Sequence, residues 1–228
     1  MLWLFWDKTM ITSTLFLACA MAKGASSPVD YIFSTTCDTS HVWVEDSSFG
    51  ELARLGANSM TKVQCLGYSG KGARSGFLNL TAKWTGTEPF EIFGTISSDF
   101  WTLTLSDNQI VSIDFSTDYR KTNAARLPQL FLIQGNKTFI AEIPSSSTAV
   151  NQWLSIRKDL TSADFVQIGP AGGQVGDRDT NSHPDFTTKG ASMYFMVGLD
   201  VFRTTKGSQG TEKLDYDNIN IQVHTSPN

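Results

Sequence analysis

The chain has 228 residues, of which 40% are hydrophobic and 18% charged, so it is long enough to bury a sizeable core in one domain. Its formal net charge of −4 and the absence of a Lys/Arg cluster in the sequence argue against nucleic acid as a partner, because phosphate backbones attract clustered positive charge. The 18 glycines and scarce helical patterns favour many short strands joined by polar turns.

The N-terminal segment, residues 1–22, is predicted to be a secretory signal peptide. Lys8 precedes an apolar run over residues 10–22, and Ala20 and Ala22 form a small-residue cleavage site at its end. This run is too short to span a bilayer. We therefore expect an extracellular, secreted protein without a transmembrane segment.

Alternatives for this segment stay open, and a buried N-terminal strand or helix is one of them. Translation can begin at Met10, and Cys19 lies in a context that resembles a bacterial lipoprotein box. In either case the sequence predicts a short linker of small residues over 23–28, followed by one β-sandwich domain over 29–228.

Cleavage of the signal peptide removes Cys19 and leaves Cys37 and Cys65. An even number of cysteines in an exported chain predicts a disulfide bond between them. In the chain-entropy model, a bridge that closes a loop of this length stabilises the fold by about 3–4 kcal/mol.

Alternating apolar and polar residues dominate the chain after residue 76 and predict β-strands. The runs lie at 76–84, 91–96, 100–105, 110–115, 130–134, 138–143, 152–158, 192–202 and 217–224. Strands at this spacing, with almost no helix between them, are typical of an all-β, antiparallel β-sandwich of the jelly-roll kind. We expect two hairpins, one pairing 100–105 with 110–115 and one pairing 130–134 with 138–143.

The same alternation predicts which side chains fill the core, because residues two apart on a strand share a face. The predicted core residues are Val111, Ile113, Phe115, Met193, Phe195, Val197, Leu199, Val201, Ile219 and Ile221.

Three segments of the C-terminal part carry a resemblance to a known family. They are Asn151–Phe165 (NQWLSIRKDLTSADF), His183–Val197 (HPDFTTKGASMYFMV) and Leu214–Val223 (LDYDNINIQV). This stretch resembles secreted laminin-B-like and carbohydrate-binding-module-like jelly-roll domains. The resemblance implies a galactose-binding-like β-sandwich that acts in adhesion, matrix contact or glycan contact.

Domains of this kind often hold a structural calcium ion near the last strand, and the resemblance places Asp217 there, with Asp215 as a second ligand. Carboxylates at strand ends supply the hard oxygen ligands that Ca²⁺ prefers. A solvated turn is the alternative interpretation of the same two residues.

Aromatic rings are the other candidates for function, because sugars stack on them. The available rings are Trp84, Trp101, Tyr119, Trp153 and Tyr194. Trp153 and Tyr194 alternate away from the apolar residues of their own strands. We expect them to form a ligand-binding surface for a glycan or a matrix component, with Arg157 and Asp114 as polar neighbours. The alternative is that these two rings pack under loops.

Evidence for catalysis is weak in this sequence. His41, His183 and His224 are far apart, and no nucleophile elbow or metal-ligand spacing occurs. The sequence therefore favours a non-catalytic binding module. A carbohydrate-active enzyme, which would need two facing carboxylates, and a structural cell-surface protein are the alternatives. Two N-glycosylation sequons, at Asn79 and Asn136, apply in a eukaryotic host.

We expect the mature protein to begin near Lys23 and to contain a bond between Cys37 and Cys65. Intact-mass measurement of the exported chain reads the new N-terminus. Alkylation before and after reduction then counts the thiols, which should number none before and two after. Two free thiols before reduction, or a chain that retains Met1, would contradict this expectation.

Overall fold

The computed structural model describes residues 28–35, 59–66, 77–85, 87, 90–96, 102–123, 127–169 and 176–227. Within them lie thirteen strands and one short 3-10 helix, Ser162–Asp164. The strands are β1 (Asp30–Thr35), β2 (Ser59–Leu66), β3 (Phe77–Trp84), β4 (Phe90–Ile96), β5 (Thr102–Leu103), β6 (Asn108–Lys121), β7 (Gln129–Gln134), β8 (Lys137–Glu142), β9 (Leu154–Leu160), β10 (Val166–Ile168), β11 (Arg178–Asp179), β12 (Met193–Arg203) and β13 (Gly210–Pro227).

The strands form two antiparallel sheets. The six-stranded sheet has the order β2-β3-β13-β6-β9, and β1 also pairs with β13. The seven-stranded sheet has the order β11-β10-β8-β7-β12-β4, and β5 also pairs with β12. β13 is the longest strand and contacts β3 with its first half and β1 with its second half, while β6 runs along its other side. The predicted all-β sandwich of the jelly-roll kind is confirmed.

The main core lies between the two sheets and takes side chains from both. Ile113 and Phe115 of β6 and Ile221 of β13 meet Phe195 and Leu199 of β12 in one buried cluster. Nine of the ten predicted core residues are buried, all except Val111. Alternation along a strand therefore identifies the inward face correctly in most of this sandwich.

One of the two predicted hairpins is confirmed. β7 and β8 pair across a two-residue turn in which Gly135 has a φ of 62°, a conformation that glycine adopts without strain. The other hairpin is wrong, because β5 pairs with β12 in the seven-stranded sheet, whereas β6 belongs to the six-stranded sheet. The chain thus crosses from one sheet of the sandwich to the other between segments 102–103 and 108–121.

Two β-bulges interrupt the ladder between β6 and β13. At the first, Asn218 and Ile219 stand opposite Thr117, and Asn218 takes a φ of 50°. At the second, Val111 is an extra residue on β6, since Ser112 pairs with His224 and Ile110 with Thr225. A bulge shifts the alternation of side chains by one residue.

The second bulge corrects the prediction for Val111. Ile110 takes the inward position instead and is buried, while Val111 is 54% exposed. The sequence pattern suggested that Val111, Ile113 and Phe115 share a face, and the extra residue breaks that pattern before Ile113.

Several predictions fall on residues outside the described ranges. These are the signal peptide 1–22, most of the linker 23–28, Cys37 and Trp101. The backbone of Cys65 pairs with Leu78 of β3, and the disulfide stays a prediction. Among the residues described, no helix has the length and apolarity that crossing a membrane requires.

We expect Ile113→Ala to lower the free energy of unfolding by about 2–5 kcal/mol, because it leaves a cavity in the main core. Val111→Ala, two residues away on the same strand, should change it by less than about 0.5 kcal/mol, because that side chain is exposed. Denaturant unfolding of both variants measures the difference. Similar losses in the two variants would show that the bulge is misplaced.

Candidate functional site

The outer face of the six-stranded sheet is densely polar. On β6, the residues that alternate with the buried Ile113, Phe115 and Tyr119 point away from the core. We call the following outward-facing set the polar face: Ser112, Asp114, Ser116, Asp118 and Arg120 of β6, Ser155, Arg157 and Asp159 of β9, and Asp215, Asp217, Asn218, Asn220, Gln222 and His224 of β13.

Hydrogen bonds tie neighbouring strands together along this face. Asp118 accepts hydrogen bonds from Ser155 of β9 and from Asn218 Nδ2 of β13, the latter at 2.6 Å. At the outer edge, His224 Nδ1 lies 3.2 Å from Asp30 of β1. These hydrogen bonds restrict the rotamers of the side chains that make them.

Arg157 and Asp114 form an ion pair within the face. The guanidinium Nε donates to Asp114 Oδ1 at 3.0 Å, and a terminal nitrogen donates to Oδ2. The Arg157 side chain is 75% exposed, whereas that of Asp114 is 5% exposed. The hydrogen bond to Asp114 and the charge of Asp114 raise the pKa of Arg157, with a smaller contribution from Asp159. A cationic guanidinium edge thus faces solvent next to a buried carboxylate.

A second ion pair supports an aromatic ring. Arg120 donates to Asp215 Oδ2 from Nε at 2.7 Å, and its Nη2 lies 2.7 Å from the same oxygen. Asn79 Nδ2 of β3 donates to the other oxygen at 2.5 Å. The Arg120 guanidinium lies 5.1 Å from the Trp153 ring and 4.9 Å from the Phe77 ring.

Trp153 precedes β9 and packs edge-on against Phe77, with ring centroids 5.6 Å apart. Its side chain is partly exposed. A cation close to an aromatic ring and an edge-to-face partner both restrict the ring's orientation. Trp153 therefore presents a partly exposed aromatic ring of fixed orientation at one end of the polar face.

The structure places three of the four predicted ligand-binding residues on one surface. Asp114, Arg157 and Trp153 belong to the outer side of the six-stranded sheet, but Tyr194 lies on β12 in the other sheet. The expectation that Tyr194 shares a surface with Trp153 is therefore wrong. Tyr194 is 44% exposed, as the alternation predicted, because alternation specifies inward or outward but not which sheet a strand joins.

Tyr119, another aromatic candidate, is buried in the main core, and its hydroxyl donates to Ser145 Oγ at 2.7 Å. Trp84 donates from its indole nitrogen to Ser208 O at 2.9 Å. Both rings thus have structural roles in the sandwich.

Asp215 and Asp217, the predicted calcium ligands, both lie on the polar face and are buried. Asp215 gives one oxygen to Arg120 and the other to Asn79, and calcium at this residue stays a prediction. In the part of the chain that the structure describes, no cluster of three or more His, Cys, Asp or Glu side chains is placed to hold a metal ion. Calcium at Asp217 stays a prediction.

Sequence reasoning missed Arg120, Phe77 and Asn79. The predicted strand ended at residue 115, whereas β6 continues to Lys121. The available signal was Tyr119, which continues the inward series of Ile113 and Phe115 and therefore places Arg120 outward.

A scan against protein-family models finds no family that matches the chain, and a search of curated proteins finds no relative. Among solved structures, a family 11 carbohydrate-binding module from Clostridium thermocellum, in complex with a β-1,3-1,4-mixed-linked tetrasaccharide, is 15% identical. Its TM-score is 0.40, with 86% of this chain and 96% of that chain covered.

The family 11 module of a cellulosomal cellulase of Clostridium thermocellum is 17% identical, with a TM-score of 0.42 and coverage of 84% of this chain and 95% of that chain. A xylan-binding domain from Paenibacillus barcinonensis is 13% identical, with a TM-score of 0.35 and coverage of 87% and 97% respectively. These likenesses are distant and carry no residue role over to this chain. The resemblance to laminin-B-like domains stays a prediction.

We expect Asp215→Ala to lower the free energy of unfolding by about 2–3 kcal/mol, because it leaves Arg120 and Asn79 without their acceptor. The value is below that of a fully buried pair, since the Arg120 side chain is 28% exposed. Asp159→Ala is the matched control on the same face, and its exposed carboxylate should matter by less than about 0.5 kcal/mol. Urea unfolding compares the two, and equal losses would mean that the ion pair does not support the sheet.

Proposed function

We propose that the protein is a non-catalytic glycan-binding module that holds an extended, uncharged glycan on the polar face. The observation that carries the proposal is the fixed, partly exposed ring of Trp153 at one end of a surface lined with hydrogen-bonding groups. Sugar rings present apolar C–H surfaces that stack on aromatic rings, while their hydroxyls require directed polar partners. The polar face offers both.

The shape of the surface favours an oligosaccharide over a single sugar. From Asp114 to Arg120 the face extends about 20 Å along β6, at roughly 3.4 Å per residue. Arg157 at one end and Trp153 at the other are both accessible. Between them, Ser116, Asp118 and Ser155 provide donors and acceptors at strand spacing.

The charge of the face favours a neutral ligand. Six aspartates border or belong to it, namely Asp30, Asp114, Asp118, Asp159, Asp215 and Asp217. Its two arginines, Arg120 and Arg157, are each paired with one of those carboxylates. The remaining negative charge repels anionic polysaccharides and leaves uncharged hydroxyl groups as the favoured partners.

The proposal places the module outside the cell, as the leader-like segment 1–22 suggests, with a polysaccharide or a matrix glycan as its partner. Affinity electrophoresis tests the binding of polysaccharides directly. The probes are mixed-linkage β-glucan, xylan and mannan as neutral polymers, and pectate and alginate as anionic ones. Each is run with Ca²⁺ and with EDTA, which also tests the predicted calcium ion.

We expect retardation by at least one neutral polymer and none by the anionic ones. Trp153→Ala should weaken that binding about 10-fold, or about 1.4 kcal/mol, because the stacking surface is lost. Trp153→Phe keeps an aromatic ring and should lose less. Tyr194→Ala, an exposed aromatic on the opposite sheet, is the matched control and should bind like the wild type.

Circular dichroism and thermal melting confirm that each variant is folded before its binding is compared. Equal losses in Trp153→Ala and Tyr194→Ala would remove the polar face as the site. No retardation by any polymer would contradict the glycan-binding proposal itself.

A further inference from the structure

The two N-glycosylation sequons stand in opposite structural environments. Asn79 lies inside β3 and is buried. Its Nδ2 donates to Asp215 at 2.5 Å, and its Oδ1 accepts from Thr81 Oγ1 at 2.8 Å. Thr81 is the third residue of the same sequon. Both polar side chains that define this sequon are therefore engaged within the sheet.

A sugar on Asn79 Nδ2 would occupy the space now filled by Asp215. That carboxylate holds Arg120, which in turn contacts Phe77 and Trp153. A chain carrying a glycan at Asn79 could not assemble this part of the polar face.

Asn136 is the second residue of the turn between β7 and β8, after Gly135. Both turn residues and Lys137 are exposed, and Thr138, the third sequon residue, is partly exposed. The hairpin belongs to the seven-stranded sheet. A glycan at this turn extends into solvent and leaves the polar face on the other sheet open.

We propose that Asn136 is the N-glycan attachment site of this chain in a eukaryotic secretory pathway, and that Asn79 stays unmodified in the folded protein. The reaction takes a lipid-linked oligosaccharide from the host. Asn136 Nδ2 forms a bond to the anomeric carbon of the sugar, the bond from that carbon to the lipid pyrophosphate breaks, and the amide nitrogen loses one proton.

The test is expression of the chain from Lys23 onward behind a human leader peptide, with recovery from the medium of human cells. Treatment with peptide N-glycosidase in H₂¹⁸O converts each glycosylated asparagine to labelled aspartate. We expect the label at Asn136 alone, as one glycan increment per chain. Thr138→Ala should abolish the increment, and Thr81→Ala, the matched change in the other sequon, should retain it.

Label at Asn79 in the secreted wild type would overturn the proposal, and so would the absence of label at both asparagines. A glycan that persists in Thr138→Ala would do the same. Asn136→Gln provides a second variant in which Thr138 and its strand are left intact. If Thr81→Ala fails to be secreted, the mapped label in the wild type and its loss in Asn136→Gln decide the question.

Discussion

The hydroxyl of Tyr216 joins the two sheets through the core, and the placement of the outer surfaces depends on it. Tyr216 lies on β13 and is fully buried. Its hydroxyl donates to Gly198 O of β12 at 2.7 Å and accepts from Gln129 N of β7 at 3.0 Å. Burial raises the pKa of Tyr216, so the hydroxyl keeps its proton and remains a donor. Because an unsatisfied buried polar group costs about 1–3 kcal/mol, this crossing contact favours one relative position of the sheets.

Further polar contacts link Gln129 to the outer side of the seven-stranded sheet. Gln129 Oε1 accepts from Asp200 N at 2.7 Å, and the Asp200 carboxylate pairs with Arg178 of β11. Arg178 lies over the ring of Phe202 at 5.7 Å. The segment that carries β11 is thus fastened to the sheet by a polar chain that begins at the core tyrosine. On the other side of the sandwich, β13 presents Asp215 to Arg120 on the polar face. Strand β13 therefore links the core, through Tyr216, to the outer surfaces of both sheets.

Sequence alternation predicted the core and the strand positions because burial selects apolar residues with a period of two. It predicted the outward direction of Trp153 and Arg157 for the same reason. It failed at Val111, because a bulge resets the alternation, and it joined Tyr194 to the wrong surface, because sheet membership depends on long-range pairing. Arg120 was missed because its strand becomes polar after residue 115. Asn79 was interpreted only as part of a sequon, although the alternation of its strand also places it outward.

The bulge at Asn218 separates two patterns along one strand. Before it, Leu214 and Tyr216 point inward, and after it Ile219 and Ile221 do, so the inward positions change from even to odd numbers. Loss of a single codon away from this bulge would shift the alternation beyond the deletion by one residue and bring polar residues into the core. Loss of the codon for Asn218 would instead leave the inward series Leu214, Tyr216, Ile219 and Ile221 in regular alternation. At this bulge the strand can therefore lose one residue during evolution without exchanging the inner and outer faces.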